Sequence, residues 1–335
     1  MKKAFLISFI ATISTMLMAG NHGLLIGVSS YPIDSGWKKL SSHNDIELLK
    51  SSFPERWTIQ TLEDEQATRS GILTALDRLC SEVSVGDTVL VHFSGHGQQM
   101  LPLPGDVSEA DLLDEAIVPY DAKEMWSESY DGRNHIRDHE LARSIDSLRD
   151  KVGKSGFVLV TLDSCHSDSM EKGDQDESKN SDIIYRGTSE IFGQNPTDED
   201  LKNRYKRDTS TIAVNGNSHV VYISACQSNS KNAETNIGGI GYGSLSFSIS
   251  EVLKDQGLKD IGEFVDGVIE KMHVIQPYQT PGIRASFKYK QPEFKTTPTP
   301  ESITLPEKSN HLIIYVILGL VLVVLCIGVK KRLRQ

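Results

Sequence analysis

Residues 88–99 read TVLVHFSGHGQQ and residues 157–168 read FVLVTLDSCHSD, and the two stretches share one pattern. Each begins with a run of β-branched and apolar residues, which is typical of a strand buried on both faces of a sheet. Each run then ends in polar and reactive side chains, which include His96 in the first stretch and Cys165 in the second. In an open α/β sheet, ligands bind in the crevice at the carboxyl ends of the strands. The two stretches therefore predict that His96 and Cys165 face one crevice.

The neighbouring segments alternate between strand and helix patterns. Short buried-strand patterns also occur at 24–28 and 220–224, and helical patterns occur at 45–53, 68–83, 138–152 and 244–253. This alternation predicts an α/β fold with a mostly parallel central sheet that is covered by helices.

The two strand ends together indicate nucleophilic chemistry. A thiol needs a basic or cationic neighbour to ionise near neutral pH, and an imidazole on the adjacent strand end supplies one. Gly97 lets the backbone come close to a substrate carbonyl, so its N–H and that of Cys165 can form an oxyanion hole. A lone cysteine or histidine at such a position is more often structural, but the pair favours acyl transfer by Cys165 with His96 as the base.

Four sequence blocks follow one another in a fixed order. They are HFSGHGQQ (92–99), DEAIVPYD (114–121), TLDSCHSD (161–168) and YISAC (222–226), with Ala233 and Glu234 beyond the last block. In order and spacing, the chain from about Leu24 to Tyr289 resembles the caspase-like cysteine peptidases, and most closely the metacaspases. Legumain-like and gingipain-like enzymes share the Gly-His-Gly and cysteine elements. The resemblance implies a caspase-like αβα sandwich and a cysteine-type endopeptidase.

The resemblance also implies roles for individual residues. Cys165 matches the nucleophile, His96 the catalytic histidine, and Gly97 the glycine whose amide helps to hold the oxyanion. Asp163 matches the acidic floor of the pocket that binds the residue before the cleaved bond, and Asp45 resembles a second acidic residue of that pocket. Two carboxylates select a basic side chain, so we expect protein or peptide substrates that are cut after Arg or Lys. The alternative is a catalytically silent caspase-like domain used for binding or assembly.

The N-terminal end has the layout of a secretory signal peptide over residues 1–20. Lys2 and Lys3 precede an apolar run from Ala4 to Met18, and small residues follow it. An internal core helix is the alternative interpretation of this run.

The C-terminal end predicts a membrane anchor. Residues 311–329 form an apolar stretch long enough to cross a bilayer, and the basic tail at 330–335 is expected to stay in the cytoplasm. A Pro/Thr/Ser-rich linker at 291–310 separates this span from a peptidase domain at 22–290. We therefore expect a single-pass protein of the cytoplasmic membrane whose catalytic domain is exported, whether or not the signal segment is cleaved.

Composition limits the other partners and cofactors. The chain is 38% hydrophobic and 24% charged, which excludes a wholly disordered chain, and its net charge of −10 argues against a nucleic-acid partner. The four cysteines do not form a CxxC zinc pattern, and Cys80, Cys226 and Cys326 are expected to have packing roles.

The chemistry requires no cofactor, but calcium is possible. The acidic residues near position 110 offer the hard oxygen ligands that calcium prefers, although their spacing is not that of a regular calcium loop. These residues are Asp106, Glu109, Asp111, Asp114 and Glu115. A solvated acidic face is the alternative, so the sequence leaves the metal ligands unknown.

A polar stretch at 168–218 interrupts the α/β alternation. Its composition predicts a long exposed loop, which is either a processing region or a passive surface insertion. Exposed segments are preferred sites of proteolysis, so self-cleavage is expected after one of its basic residues. The candidates are Arg186, Lys202, Arg204, Lys206 and Arg207.

Overall fold

A six-stranded sheet lies at the centre of the protein. The computed structural model describes residues 19–102, 113–165, 183–194, 197, 217–227 and 231–289. The strands are β1 (Asn21–Gly27), β2 (Trp57–Glu63), β3 (Thr88–Ser94), β4 (Gly97–Met100), β5 (Asp114–Ile117), β6 (Ile136–Arg137), β7 (Phe157–Asp163), β8 (His219–Ser224), β9 (Glu234–Ile237), β10 (Ile240–Gly243) and β11 (Gly282–Ala285). The helices are α1 (Ser42–Ser52), α2 (Arg69–Glu82), α3 (Asp138–Val152), α4 (Ser244–Asp255) and α5 (Ile261–Ile275).

The central sheet has the strand order β11-β8-β7-β3-β1-β2. All neighbouring pairs are parallel except β11 with β8, which is antiparallel. The predicted α/β fold with a mostly parallel sheet is therefore confirmed.

Helices cover both faces of this sheet. On one face, α2 and α3 bury apolar residues such as Leu76 and Ile145 against β1, β3 and β7. On the other face, α1, α4 and α5 do the same with residues such as Ile46, Ile249 and Phe264. Burial of these apolar side chains on both faces is what stabilises the three layers.

Strand β2 and helix α5 are two of the elements that the sequence patterns did not predict. Strand β2 lies at the edge of the sheet, where only Trp57 is buried, so its sequence lacks the continuous apolar run of a central strand. Helix α5 has an apolar face, but Gly262 and Gly267 weaken its helical pattern. The first helix also begins earlier than predicted, at Ser42 rather than at Asp45, so Asp45 lies in its first turn.

Two small sheets follow the strand ends where the reactive residues lie. Strands β4, β5 and β6 form an antiparallel sheet that begins directly after His96. Strands β9 and β10 form an antiparallel hairpin that leads into α4. Both sheets border the site described below.

Within the described ranges, every helix is too short or too polar to cross a lipid bilayer. The predicted linker, membrane span and basic tail lie outside those ranges, and so does the predicted signal peptide except for its last two residues, Ala19 and Gly20.

Candidate active site

Strand register brings the two predicted reactive residues to the same end of neighbouring strands. In the parallel pair of β3 and β7, Ser94 lies opposite Asp163. His96 and Cys165 each follow two residues later, and the backbone N–H of Gly95 donates to the Asp163 carbonyl at 3.3 Å. The structure thus places His96 and Cys165 at one edge of the sheet.

The His96 ring is held in one orientation. Its Nε2 lies 2.8 Å from the backbone carbonyl oxygen of Lys38, and since a carbonyl only accepts, Nε2 carries the hydrogen. Its ring stacks on Trp37 with centroids 4.8 Å apart, and its backbone N–H donates to the Tyr31 hydroxyl at 3.1 Å. Nδ1 has no hydrogen-bond partner among the residues described. That nitrogen is therefore the one that can accept a proton.

Burial lowers the pKa of His96 to about 4. The hydrogen bond to the Lys38 carbonyl acts to raise this pKa, whereas the positive charges of Arg186 and Lys38 lower it further. The imidazole is therefore neutral near pH 7, as a general base must be.

Two backbone N–H groups point at one carbonyl oxygen. The Gly97 amide donates to the Arg186 carbonyl oxygen at 3.1 Å, and the Cys165 amide donates to the same oxygen at 2.9 Å. These are the two amides predicted to form an oxyanion hole, and the distances fall in the range that such donors use.

The Arg186 side chain fills an acidic pocket formed by Asp45, Asp163 and Glu234. Its Nη2 lies 2.8 Å from an Asp45 carboxylate oxygen and 2.9 Å from one of Glu234. Its Nη1 lies 3.8 Å from an Asp163 carboxylate oxygen and donates to the Ser94 hydroxyl at 2.6 Å. The side chain is completely buried, so the three carboxylates replace the water that would otherwise solvate it.

Asp45 belongs to this pocket through a direct ion pair. Its other contacts are the Ser94 hydroxyl at 2.7 Å and the Gly243 amide at 2.9 Å, both of which donate to the carboxylate. Burial raises the pKa of Asp45 to about 6, while the positive charge of Arg186 opposes that rise. Asp45 therefore ionises less readily than an exposed aspartate.

Asp163 forms the floor of the pocket and is fixed by its neighbours. Asn232 donates to one of its carboxylate oxygens at 2.9 Å, and Ser246 donates to the other through its amide at 2.7 Å and its hydroxyl at 2.6 Å. Burial opposes ionisation, but the Arg186 charge and these hydrogen bonds outweigh it and hold the pKa of Asp163 below its ordinary value.

Gly243 leaves room for the bound side chain. A Cβ atom at this position would collide with the Asp163 carboxylate and lie 2.7 Å from Nη1 of Arg186. A larger residue would therefore close the pocket. Sequence reasoning did not identify Gly243, because nothing in the GYGSL string marks which glycine faces a pocket.

Residues 184–192, called the cleft segment from here on, run along this site. Residues 184–186 pair antiparallel with residues 232–234: the Glu234 amide donates to the Ile184 carbonyl at 2.8 Å, and the Arg186 amide donates to the Asn232 carbonyl at 2.9 Å. The prediction of an exposed loop is wrong here, because Arg186 and Phe192 are buried. The polar composition of the segment predicted that it would be exposed, but the three carboxylates of the pocket offset the charge of Arg186 and so allow its burial. Lys202, Arg204, Lys206 and Arg207 lie outside the described residues.

Cys226 lies next to the predicted nucleophile. A hydrogen bond with Cys165, followed by burial, raises the pKa of the Cys226 thiol well above its usual value. Cys226 is therefore more than the packing residue predicted, since its neutral thiol contacts Cys165. This contact could not be predicted from sequence, because the two residues follow different strands.

A small cluster of possible metal ligands lies at the start of β5 and α3. Ligand atoms of Asp114, Asp138 and His139 lie within 4.8 Å of one another, and one buried carboxylate oxygen of Asp114 has no hydrogen-bond partner among the described residues. Asp114 is also paired with the Arg137 guanidinium, and calcium takes six to eight oxygen ligands. These three side chains could hold a metal ion, and the calcium dependence stays a prediction. Asp106, Glu109 and Asp111 lie outside the described residues.

Known proteins resemble this chain in sequence and in fold. A caspase-domain family model matches residues 21–309. Metacaspase-1 of Schizosaccharomyces pombe is 27% identical over 211 residues, which cover 56% of this chain and 46% of that protein. Metacaspase-1 of Lodderomyces elongisporus is 26% identical over 253 residues, which cover 63% of this chain and 52% of that protein. The chain thus spans about half the length of these curated relatives.

A solved structure supports the fold assignment. Protein GSU0716 of Geobacter sulfurreducens superposes with a TM-score of 0.53 at 21% identity, over 84% of this chain and 95% of that one. At this identity the match establishes the fold alone. Because the family model covers most of the chain, including both strand ends of the site, the chain belongs to the caspase-domain family, within which it resembles the metacaspases.

Proposed function

We propose that this protein is a cysteine endopeptidase that cuts peptide bonds after Arg or Lys. One observation carries the proposal: Arg186 occupies the site as a substrate residue would. Its side chain fills the acidic pocket while its carbonyl oxygen accepts hydrogen bonds from Gly97 and Cys165. A carbonyl in that position is the group that a thiolate at Cys165 attacks.

The reaction needs only residues of this chain and water. The Cys165 thiol gives its proton to Nδ1 of His96, and the sulfur bonds to the carbonyl carbon of the basic residue. The oxygen gains negative charge and is stabilised by the Gly97 and Cys165 amides. When the C–N bond breaks, His96 returns the proton to the leaving amine. Water then attacks the thioester, giving a carboxylic acid and restoring the thiol.

The pocket favours a cation, and arginine fits it best. A guanidinium has several N–H groups in one plane, and in this pocket they reach Asp45, Glu234 and Ser94 together. Lysine offers a single ammonium that cannot reach as many acceptors in a fixed geometry. We therefore expect cleavage after Arg to be faster than cleavage after Lys.

Reporter peptides test the proposal. Peptides ending in Arg, Lys or Gln before the reporter group should be cut in that order, with Gln the slowest. Cys165→Ala and His96→Ala should each abolish the hydrolysis of the Arg reporter while the protein stays folded. The double variant should be little worse than either single variant, because the two residues act as a unit. A folded wild-type protein without activity on any reporter would instead favour a silent binding domain.

Location and metal dependence are further proposals that rest on the sequence. The apolar stretch at 311–329 and the basic tail support a single-pass membrane protein with its catalytic domain exported. Protease treatment of intact cells should then remove the catalytic domain but leave the tail protected. Calcium has no step in the proposed reaction, and assays with calcium or with a chelator would measure any structural dependence on it.

A further inference from the structure

We propose that His92 is a positioning residue for arginine recognition, which acts through the Ser246 hydroxyl to hold the Asp163 carboxylate in place. This role rests on the proposed peptidase function and deepens it, because it adds a determinant of specificity that does not touch the substrate. His92 lies within β3, before the strand end that leads to His96, and the proposed reaction does not use it.

A chain of buried polar side chains from β3, β7 and α4 leads to the pocket floor. Nδ1 of His92 lies 2.8 Å from the Thr161 hydroxyl oxygen, and Nε2 lies 3.2 Å from the Ser246 hydroxyl oxygen. The Ser246 hydroxyl in turn donates to a carboxylate oxygen of Asp163 at 2.6 Å. All four residues are completely buried, so bulk water does not compete for these hydrogen bonds.

The chemistry of the groups fixes the direction of each hydrogen bond in this chain. An ionised carboxylate only accepts, so Ser246 gives its single hydroxyl hydrogen to Asp163. The Ser246 oxygen can then only accept from His92, so Nε2 of His92 carries the hydrogen. Nδ1 carries none and accepts from the Thr161 hydroxyl. Every donor from Thr161 onward therefore points toward the Asp163 carboxylate.

His92 is neutral in this arrangement. Burial lowers its pKa to about 4. The negative charge of Asp163 opposes this shift, and the positive charge of Arg186 adds to it. A neutral imidazole has one donor and one acceptor nitrogen, which is the combination that Ser246 and Thr161 require.

Asp163 needs such support because it acts on the arginine from a distance. One of its carboxylate oxygens lies 3.8 Å from Nη1 of Arg186, whereas Asp45 lies 2.8 Å from the guanidinium. At 3.8 Å no hydrogen bond with the arginine orients this carboxylate, so Asn232 on one oxygen and Ser246 on the other set its direction. The attraction between charges weakens with distance, so a carboxylate that rotated away from Nη1 would bind arginine less well.

Two amide variants of His92 test this role in the purified full-length protein. His92→Gln places an N–H near the position of Nε2 and should keep the ratio of kcat/KM for arginine and glutamine reporters close to that of wild type. His92→Asn is the matched control, since its amide is the same group but is too short to reach Ser246. It should lower the ratio by about 2- to 10-fold, which is the scale of one hydrogen bond. The loss should appear as a higher KM for the arginine reporter, with kcat unchanged.

A double-mutant cycle separates this role from a purely structural one. Ser246→Ala should lower the ratio, and adding His92→Asn to Ser246→Ala should lower it no further, because His92 acts through the Ser246 hydroxyl. Thr161→Val keeps the shape of the side chain and should have the smallest effect, because Thr161 is farthest along the chain from Asp163. Two independent packing defects would instead add.

Two results would overturn the inference and leave the peptidase function standing. One is a folded His92→Asn protein whose ratio equals that of wild type. The other is a loss in His92→Asn that adds in full to the loss in Ser246→Ala. If His92→Asn does not fold, His92→Gln decides alone, and a ratio as low as that of Ser246→Ala would overturn the inference. A folded wild-type protein that cuts no reporter would overturn the proposed function itself.

Discussion

The backbone amide of Cys165 donates a 2.9 Å hydrogen bond to the carbonyl oxygen of Arg186. The predicted nucleophile and a basic residue twenty-one positions later are thus joined through the group that would be attacked. From this backbone position the Arg186 side chain extends into the acidic pocket, where it pairs with Asp45 and Glu234.

Asp45→Asn should reduce the preference for Arg over neutral reporters more than Asp163→Asn does. Asp45 lies 2.8 Å from the guanidinium, whereas Asp163 lies 3.8 Å away and is already held by Asn232 and Ser246. Losing a buried partner of this kind costs about 2 to 5 kcal/mol. The ratio of kcat/KM values for Arg and Gln reporters measures this cost. Equal ratios in Asp45→Asn and wild type would contradict the pocket assignment.

The sequence alone favoured the opposite weighting, because Asp163 belongs to the same short block as Cys165 while Asp45 is distant. Glu234 was noted beyond the last sequence block, but its part in the pocket was not predicted. Such contacts depend on how β9 and α1 approach the strand ends, which local patterns do not encode.

The discrimination for Arg should fall at acidic pH. Burial raises the pKa of Asp45 to about 6, although the Arg186 charge opposes the rise. Protonation of Asp45 removes the ion pair, so the Arg to Gln ratio of kcat/KM should decline as the pH falls through about 6 and below. Using the ratio cancels any titration of His96. In Asp45→Asn, this ratio should not decline over the same pH range. A decline as steep as in wild type would show that another group causes it.

Tyr31→Phe should lower kcat with little change in KM. The Tyr31 hydroxyl accepts from the His96 amide at 3.1 Å and donates to the Val118 carbonyl at 3.0 Å, so it positions the histidine without touching substrate. Leaving the buried N–H of His96 without a hydrogen bond costs about 1 to 3 kcal/mol. The His96 backbone should shift to reduce this cost, and the shift would displace the imidazole. The matched control is Tyr278→Phe, at an exposed tyrosine. A change confined to KM would show that Tyr31 acts on substrate binding instead.

Gly187→Val should slow self-cleavage after Arg186 on the order of 100-fold, which is the usual scale for a small misplacement of reacting groups. The added side chain would collide with the Cys165 backbone and displace the bond from the sulfur. Thr188→Val is the control, because it keeps the shape of the side chain and loses only the hydrogen bonds that the hydroxyl donates to Glu124 and accepts from the Glu190 amide. The fraction of intact chain over time, read by mass, checks this prediction. Cleavage of Gly187→Val at the wild-type rate would show that Gly187 does not lie at the reaction centre.

Local patterns predicted the sheet and the two reactive residues because buried strands and the residues after them are contiguous in sequence. His96, Gly97 and Cys165 could be placed at one edge from that alone. The burial of Arg186 could not be predicted from local patterns, because an arginine in a polar stretch is buried only when carboxylates from distant segments surround it. Tyr31 and Trp37, which hold the His96 ring, likewise lie in an irregular segment without a periodic pattern.

Covalent labelling identifies the nucleophile and its preference for arginine in one experiment. The wild-type protein would be incubated with a peptide that ends in an arginyl chloromethyl ketone, and the modified residue located by peptide mapping. We predict one peptide adduct, on Cys165, that is blocked by excess Arg substrate and is absent from His96→Ala. An adduct on Cys80 or Cys226 instead, or no adduct on a folded wild-type protein, would contradict the assignment of Cys165 as the nucleophile of an arginine-directed peptidase.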